Sequence, residues 1–174
     1  MKSSDIAIRR LTPEDAADYR ALRLRGLKEH PDAFTSSYAE AITKPLASTQ
    51  ERLRVEGPEA VYGAFVDGEL VGVVGLAREP REKNRHKATV FGMYVAPEQA
   101  RRGVGSALLH YVVDEAMRQD GVAQLVLTVT ETNAAARTLY ETFGFRSFGV
   151  EPRAIRVGDT YFDKNHMIFF LGQP

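Results

Sequence analysis

The chain has no cysteine among its 174 residues. Disulfides, thiolate metal sites and any relay through a protein thioester are thereby excluded, which leaves direct transfer or oxygen and nitrogen chemistry. Net charge is missing too: 23 Lys and Arg balance 23 Asp and Glu, so no global field draws the protein to nucleic acid or to an anionic membrane. A run of about 18 apolar residues, needed for a membrane-crossing helix, occurs nowhere, and residues 1–10 lack the apolar core of a signal peptide. These gaps predict a cytoplasmic protein without nucleic-acid or membrane partners. Several motifs are absent as well. There is no Gly-x-x-x-x-Gly-Lys-Ser/Thr, and Gly103-Val104-Gly105 lacks the third glycine of a dinucleotide site. Ser106 does not sit in a nucleophile elbow, and His30, His86, His110 and His166 lack metal-ligand spacing, so no metal is expected.

What remains is an ordinary globular composition, 44% hydrophobic and 26% charged, sized for one domain over residues 1–174. The most informative run is Val95-Ala96-Pro97-Glu98-Gln99-Ala100-Arg101-Arg102-Gly103-Val104-Gly105-Ser106-Ala107-Leu108-Leu109. A strand-like segment turns there through arginines and glycines into an amphipathic helix. The first helical turn carries N–H groups without intrahelical acceptors, and the helix dipole adds positive potential, so a diphosphate is attracted. Gly103 and Gly105 present no Cβ to hold a phosphate away, and Arg101 and Arg102 add forked charged donors. The other arginine clusters, Arg9-Arg10 and Arg23 to Arg25, read as solvated faces.

Local signals order the rest. Ile6, Ile8 and Leu11 suggest a first strand, and Thr12-Pro13-Glu14-Asp15 caps a helix running to about Leu27. Pro31, Pro45 and Pro58 punctuate the next stretch, read as a loop over residues 34–43 and a helix over 46–55. Asp67-Gly68 between two apolar alternating runs predicts a hairpin. A polar loop over 78–87, a strand over 88–95, the helix from Val104 to a stop at Asp120-Gly121, and a strand over 122–130 follow. Asn133 caps a further helix that ends at Gly144, and residues 148–171 read as two strands turning near Gly158-Asp159. Phe169-Phe170 and Val112-Val113 are expected in the core. Strand–helix–strand order around the 104 helix requires parallel neighbours while the hairpins supply antiparallel ones, so an α/β fold with a mixed sheet is predicted.

The arginine–glycine turn and the segment Asn133-Ala134-Ala135-Ala136-Arg137-Thr138-Leu139-Tyr140-Glu141-Thr142-Phe143-Gly144-Phe145, in this order, resemble the GNAT superfamily of acyl-CoA-dependent N-acyltransferases. The resemblance implies a mostly antiparallel, twisted sheet of about seven strands flanked by helices, with two splayed central strands forming a cleft for acetyl-CoA. It implies pantetheine pairing along the backbone of Met93, Tyr94 and Val95, a pyrophosphate held by Arg101, Arg102, Gly103, Val104, Gly105 and Ser106, and cofactor contacts from Asn133 and Arg137. Tyr140, two turns from Asn133 on the same helical face, is implied as the general acid toward the CoA thiolate. A phenol of pKa ~10 starts such a cycle protonated. The activity implied is transfer of an acetyl group to a primary amine, of a small molecule or of a peptide or protein, by direct attack.

Two positions depart from the family pattern. Ala100 stands where a Gln or Arg usually opens the phosphate loop, a loss that backbone donors tolerate. Thr128 stands where many members carry a glutamate general base, and a threonine cannot take a proton near neutral pH. A water relay is therefore expected, with Glu131, Asp163 and His166 as candidate termini. The alternative is a catalytically silent acyl-CoA sensor of the same fold. No specific motif marks the acceptor-shaping loops, and a homodimer is one assembly to expect, dimers being frequent among soluble enzymes of this size.

Overall fold

The computed structural model describes residues 5–57 and 59–172; the readings that rest on residues 1–4, Pro58 and 173–174 lie outside that range. Strand β1 (Ala7–Arg10) leads through a 3-10 turn at Pro13–Asp15 into α1 (Ala16–Glu29), followed by α2 (Tyr38–Thr43) and α3 (Leu46–Arg52). The predicted hairpin is β2 (Glu59–Val66) and β3 (Glu69–Arg78), with β4 (Lys87–Val95) next. Then come α4 (Val104–Met117), β5 (Gln124–Thr130), α5 (Ala134–Phe143), β6 (Arg146–Val157) and β7 (Thr160–Phe170). The strands form one seven-stranded sheet in the order β1-β2-β3-β4-β5-β7-β6. Every pairing is antiparallel except β4 with β5, so the mixed sheet expected from the sequence is present. No helix among the described residues is long and apolar enough to cross a membrane.

Both faces of the sheet are covered. On one face α4 buries Val104, Leu108, Leu109, Val112 and Val113 against Tyr62, Ala64, Val74, Leu76 and Leu125. On the other, Tyr19 and Leu22 of α1 pack with Leu53 on Val61, Val73 and Tyr94. Alternation along β2 and β3 sends successive side chains to opposite faces, so both layers draw on the same short strands. Two expectations from the sequence are corrected. Residues 34–43 are not all loop, because a capping box starts α2: Glu40 N donates to Ser37 Oγ at 3.1 Å, and Ser37 N to Glu40 Oε2 at 3.1 Å. Phe170 is half exposed, because the edge-directed end of β7 alternates faces and only Phe169 turns inward to stack near Phe143 and Phe145.

The approach to α1 is pinned by charge. Arg9 makes a two-pronged contact with Asp15, at 2.7 and 2.8 Å, and Thr12 N donates to the same carboxylate at 2.8 Å. The Arg9 guanidinium holds the Asp15 carboxyl well below the usual range, at about 2. Stability from this depressed group is complete above the ordinary carboxylate pKa of about 3.9 and fades as the pH falls through that value toward 2. Asp15→Asn should therefore lower the unfolding free energy by about 1 kcal/mol at pH 7, with part of the gain screened at the half-exposed Arg9. The deficit should shrink steadily on acidification; urea unfolding curves across that pH range check it.

Candidate active site

Strands β4 and β5 are paired only over Lys87–Thr89 and Gln124–Val126. Beyond these the strands part, and the β5-facing edge of β4 has no strand partner. A register shift against β3, between the pairs Gly75↔Phe91 and Val73↔Tyr94, inserts a bulge at Gly92, whose φ of +62° is the left-handed conformation that glycine adopts freely. Behind the bulge, a Cβ on Gly75 would lie 2.3 Å from the Phe91 ring.

Ala33 and Phe34 border both sides of this gap, which holds two cavities. The first, of 700 Å³, runs from the α4 N-terminus past Met93, Tyr94 and Val95 to Tyr140. The second, of 510 Å³, is lined by Phe91, Gly92, Thr128, Phe148, Lys164 and His166 among others. Ala33 and Phe34 line both. The segment is tied down from below: Lys164 Nζ donates to Ala33 O at 3.0 Å and to Thr130 Oγ1 at 2.9 Å, and Thr130 Oγ1 donates to Asp32 O at 2.6 Å.

At the mouth of the first cavity, Gly103 caps α4 with φ +80° and Arg101 is left-handed as well, at +62°. Among the described residues, the N–H groups of Gly103, Val104, Gly105 and Ser106 have no backbone acceptor; the first helical bond is Ala107 N to Gly103 O. A Cβ on Gly105 would come within 3.4 Å of Leu139 and 3.9 Å of Val95, so glycine keeps this wall thin. Arg101, Gly103, Val104, Gly105, Ser106 and Asn133 all line the cavity. Arg102 does not, and leans on Gln99 Oε1 at 3.3 Å. Arg137 does not line it either: although the spacing puts it on the helical face of Asn133 and Tyr140, its guanidinium turns to Glu131 at 3.1 Å and Glu141 at 3.5 Å. Asn133 itself caps α5, its side chain accepting from Ala136 N at 3.2 Å.

The turn leading to the mouth is held by a network that no sequence motif signals. Arg25 on α1 bridges Glu29 at 2.8 Å and Glu98 at 2.6 Å, and the Tyr94 hydroxyl donates to Glu29 at 2.6 Å. Burial, and then Glu29, push the Tyr94 phenol well above its usual pKa. The hydroxyl is committed to positioning β4.

Tyr140 differs. It is 7% exposed, and among the described residues its hydroxyl meets only the Met93 sulfur, at 3.8 Å. A thioether is among the weakest acceptors a phenol can find. Burial pushes this phenol up to about 12, so it is neutral across the physiological range and its O–H is free to turn as a hydrogen-bond donor to a better acceptor than Met93.

Of the candidate relay termini, Glu131 is engaged by Arg137 and Asn165, and Asp163 accepts from the Arg153 backbone at 2.8 Å. His166 alone of the three lines a cavity of the gap. It stands directly across the β5–β7 ladder from Thr128, and its Nε2 is 3.1 Å from Glu151 Oε2.

Residues 25–145 match the Acetyltransferase (GNAT) family, and the chain belongs to that family. An L-amino acid N-acetyltransferase of Escherichia coli K12 is 30% identical over 168 residues, covering 94% of this chain and 97% of its own. The [Ribosomal protein bS18]-alanine N-acetyltransferase of the same organism is 48% identical over 59 residues, and the match spans only 39% of that relative's length. Among solved structures, an acetyltransferase of the GNAT family from Streptococcus pneumoniae superposes with a TM-score of 0.87 at 25% identity, covering 97% of this chain and all of that one. An acetyltransferase from Salmonella typhimurium solved with acetyl-CoA shares the fold, with a TM-score of 0.79 at 22% identity over 98% and 96% of the two chains. Acetyl-CoA, the cofactor of the family, fits what is present: unpaired amides where its diphosphate would lie, an open strand edge for its amide arm, and a sulfur-contacting phenol at the inner end.

The phenol can be tested directly. Subtracting the alkaline ultraviolet titration of Tyr140→Phe from that of the wild type should isolate one phenolate appearing near pH 12. Appearance near pH 10, the value of free tyrosine, would show that burial does not govern the group.

Proposed function

We propose that the chain, acting as one N-acetyltransferase domain over residues 1–174, moves an acetyl group from acetyl-CoA to a primary amine by direct attack. The observation that carries the reading is the neutral Tyr140 phenol resting on the Met93 sulfur, at the inner end of a cavity whose mouth is the α4 N-terminus. Acetyl-CoA supplies an activated thioester and a good leaving group. The protein supplies the rest. Free N–H groups of Gly103, Val104, Gly105 and Ser106, with Arg101 beside them, hold the diphosphate by charge-assisted bonds. Backbone groups of Met93, Tyr94 and Val95 pair with the pantetheine arm as an added strand would, and a main-chain N–H of the same strand steadies the carbonyl oxygen. Asn133 fixes the start of α5 and so aims Tyr140, which gives its proton to the departing sulfur. Arg137, engaged by two glutamates, orders the loop around Glu131 rather than touching the cofactor.

The amine arrives as an ammonium, with pKa ~8 for an α-amino group and ~10.4 for lysine. On the 510 Å³ side of the gap, His166 takes its proton, oriented by Glu151, in place of the glutamate that Thr128 replaces. Amino acids and peptide N-termini head the acceptor candidates, following the names of the relatives.

Purified protein incubated with acetyl-CoA and a panel of amines should release CoA thiol in an amine-dependent manner. Thermal stabilisation by acetyl-CoA without any thiol release would instead identify a silent sensor. With the responsive amine, Tyr140→Phe should lower turnover about 10- to 100-fold while leaving acetyl-CoA affinity within about threefold; unchanged turnover with chemistry limiting removes the acid role. His166→Gln and Glu151→Gln should both slow turnover of an α-amine, with a loss that narrows as the pH rises past ~8 and the amine sheds its own proton. A pH-independent loss would assign them to structure alone.

A further inference from the structure

Outside the gap, α1, α2 and α3 surround a third cavity, of 170 Å³, walled by Arg20, Arg23, Lys44 and Arg52 together with Ser36 and Thr49. Among the described residues, no carboxylate lines it. Arg23, expected on a solvated face, is instead partly buried and donates to Ser36 Oγ at 3.3 Å, with the Tyr19 hydroxyl as its other polar neighbour. Arg52 Nε is buried without a hydrogen-bond partner and forms only a long ion pair, at 3.7 Å, with Glu59, which does not line the cavity. Arg20 donates to the carbonyls of Ile42 and Lys44 rather than to an acid. Burial pushes the Arg23 guanidinium below its usual pKa, and the positive charge of Arg52 acts in the same direction.

Buried cations are ordinarily paired, because desolvation is offset only by an opposite charge. Here two part-buried guanidiniums share a cavity with further cations and hydroxyls: Glu59 reaches Arg52 only at 3.7 Å and from outside the lining, and Arg23 has no ion-pair partner among the described residues. We infer that this cavity binds a small oxyanion, a phosphate or carboxylate group held between Arg23 and Arg52. Its size supports a single group: it falls below the roughly 300 Å³ of sites for drug-sized ligands. Forked guanidinium donors match the paired oxygens of both chemistries.

The cavity also touches the acceptor side. The Arg52 guanidinium lies 5.4 Å from the centroid of the Phe91 ring, and Arg23 Nη1 is 3.7 Å from where a Cβ on Gly92 would be; Phe91 and Gly92 line the 510 Å³ cavity. The oxyanion is therefore either free in solution or an acidic group carried by the acceptor. Binding is read without turnover, so its failure leaves the acetyl-transfer reading intact.

The test is calorimetry of inorganic phosphate on the full chain at constant ionic strength, with chloride as the balancing ion. Wild type and Arg118→Gln, which removes an exposed guanidinium at the end of α4, should bind alike. Arg23→Gln and Arg52→Gln should bind at least tenfold more weakly, and Lys44→Gln, at an exposed position that carries no fold, should bind measurably more weakly. Saturating phosphate should raise the wild-type melting midpoint by about 2–4 °C and leave Arg23→Gln unmoved. Phosphoethanolamine and ethanolamine then separate the sources. Binding of phosphoethanolamine tenfold tighter than phosphate assigns the site to the acceptor's acidic group, and equal binding assigns it to a free anion; both outcomes uphold an oxyanion site. No phosphate uptake by the wild type, or equal uptake by wild type, Arg23→Gln, Arg52→Gln and Lys44→Gln, overturns it.

Discussion

The parting of β4 from β5 after Thr89 and Val126 is the constraint on which the site depends. Backbone N–H and C=O groups left unpaired between two strands are costly unless something fills the space, so the splay must be held open from outside. Each strand is held by its other neighbour. β7 pairs with β5 along its whole length, from Gln124↔Phe170 to Thr130↔Lys164, and fixes its line. β3 pairs with β4 through a bulge that turns β4 away, and the bulge is possible because Gly75 leaves room for the Phe91 ring and Gly92 takes a left-handed conformation.

A gap of that kind would run straight through the sheet were it not divided. Ala33 and Phe34 border both cavities, and the group that holds their segment is a polar one under the sheet: the buried Lys164, satisfied by Ala33 O and Thr130 Oγ1 instead of a carboxylate. The division separates the requirements of the two reactants. One cavity presents helix-terminal amides and a phenol, which suit a phosphate-bearing thioester; the other presents His166, itself held by Glu151 from outside the lining, an arrangement that suits an ammonium that must lose a proton.

Features governed by neighbours in the chain are legible from the amino-acid order itself. The Asp67-Gly68 turn, the Asn133 cap, the Gly144 stop and the glycine–arginine mouth each depend on a few consecutive residues, and each stands where those residues direct. The capping box of Ser37 and Glu40 is equally local, but α2 is too short to show the apolar repeat that marks a helix. Side-chain direction is a different matter. Arg137 has the helical spacing of a cleft residue, yet two glutamates compete for it more effectively than an open cleft. Thr128 and His166 are far apart in sequence and become neighbours only through the register of β5 and β7, so no linear pattern reveals that an imidazole stands beside the position that lacks a carboxylate. The Arg25–Glu29–Tyr94 network joins distant elements in the same non-local way.

Net neutrality, the feature that argues most strongly against anionic partners, also needs a local reading. Charges separated by more than about 8–10 Å are largely screened at physiological salt, so a bound group responds to the few charges around it and not to the sum over the chain. Much of the acid in this protein is already committed at short range, Asp15 to Arg9, Glu29 and Glu98 to Arg25, Glu131 and Glu141 to Arg137. Those pairs neutralise themselves. Arg101 at the α4 mouth has no carboxylate within ion-pair distance among the described residues, and the α1–α2–α3 cavity has none in its walls. A zero total is therefore compatible with strongly positive local potentials at both places, and the helix terminus adds its own partial charge at the first. A neutral composition supplies no global field for an extended polyanion, yet it leaves room for single phosphate or carboxylate groups, the scale proposed for both places.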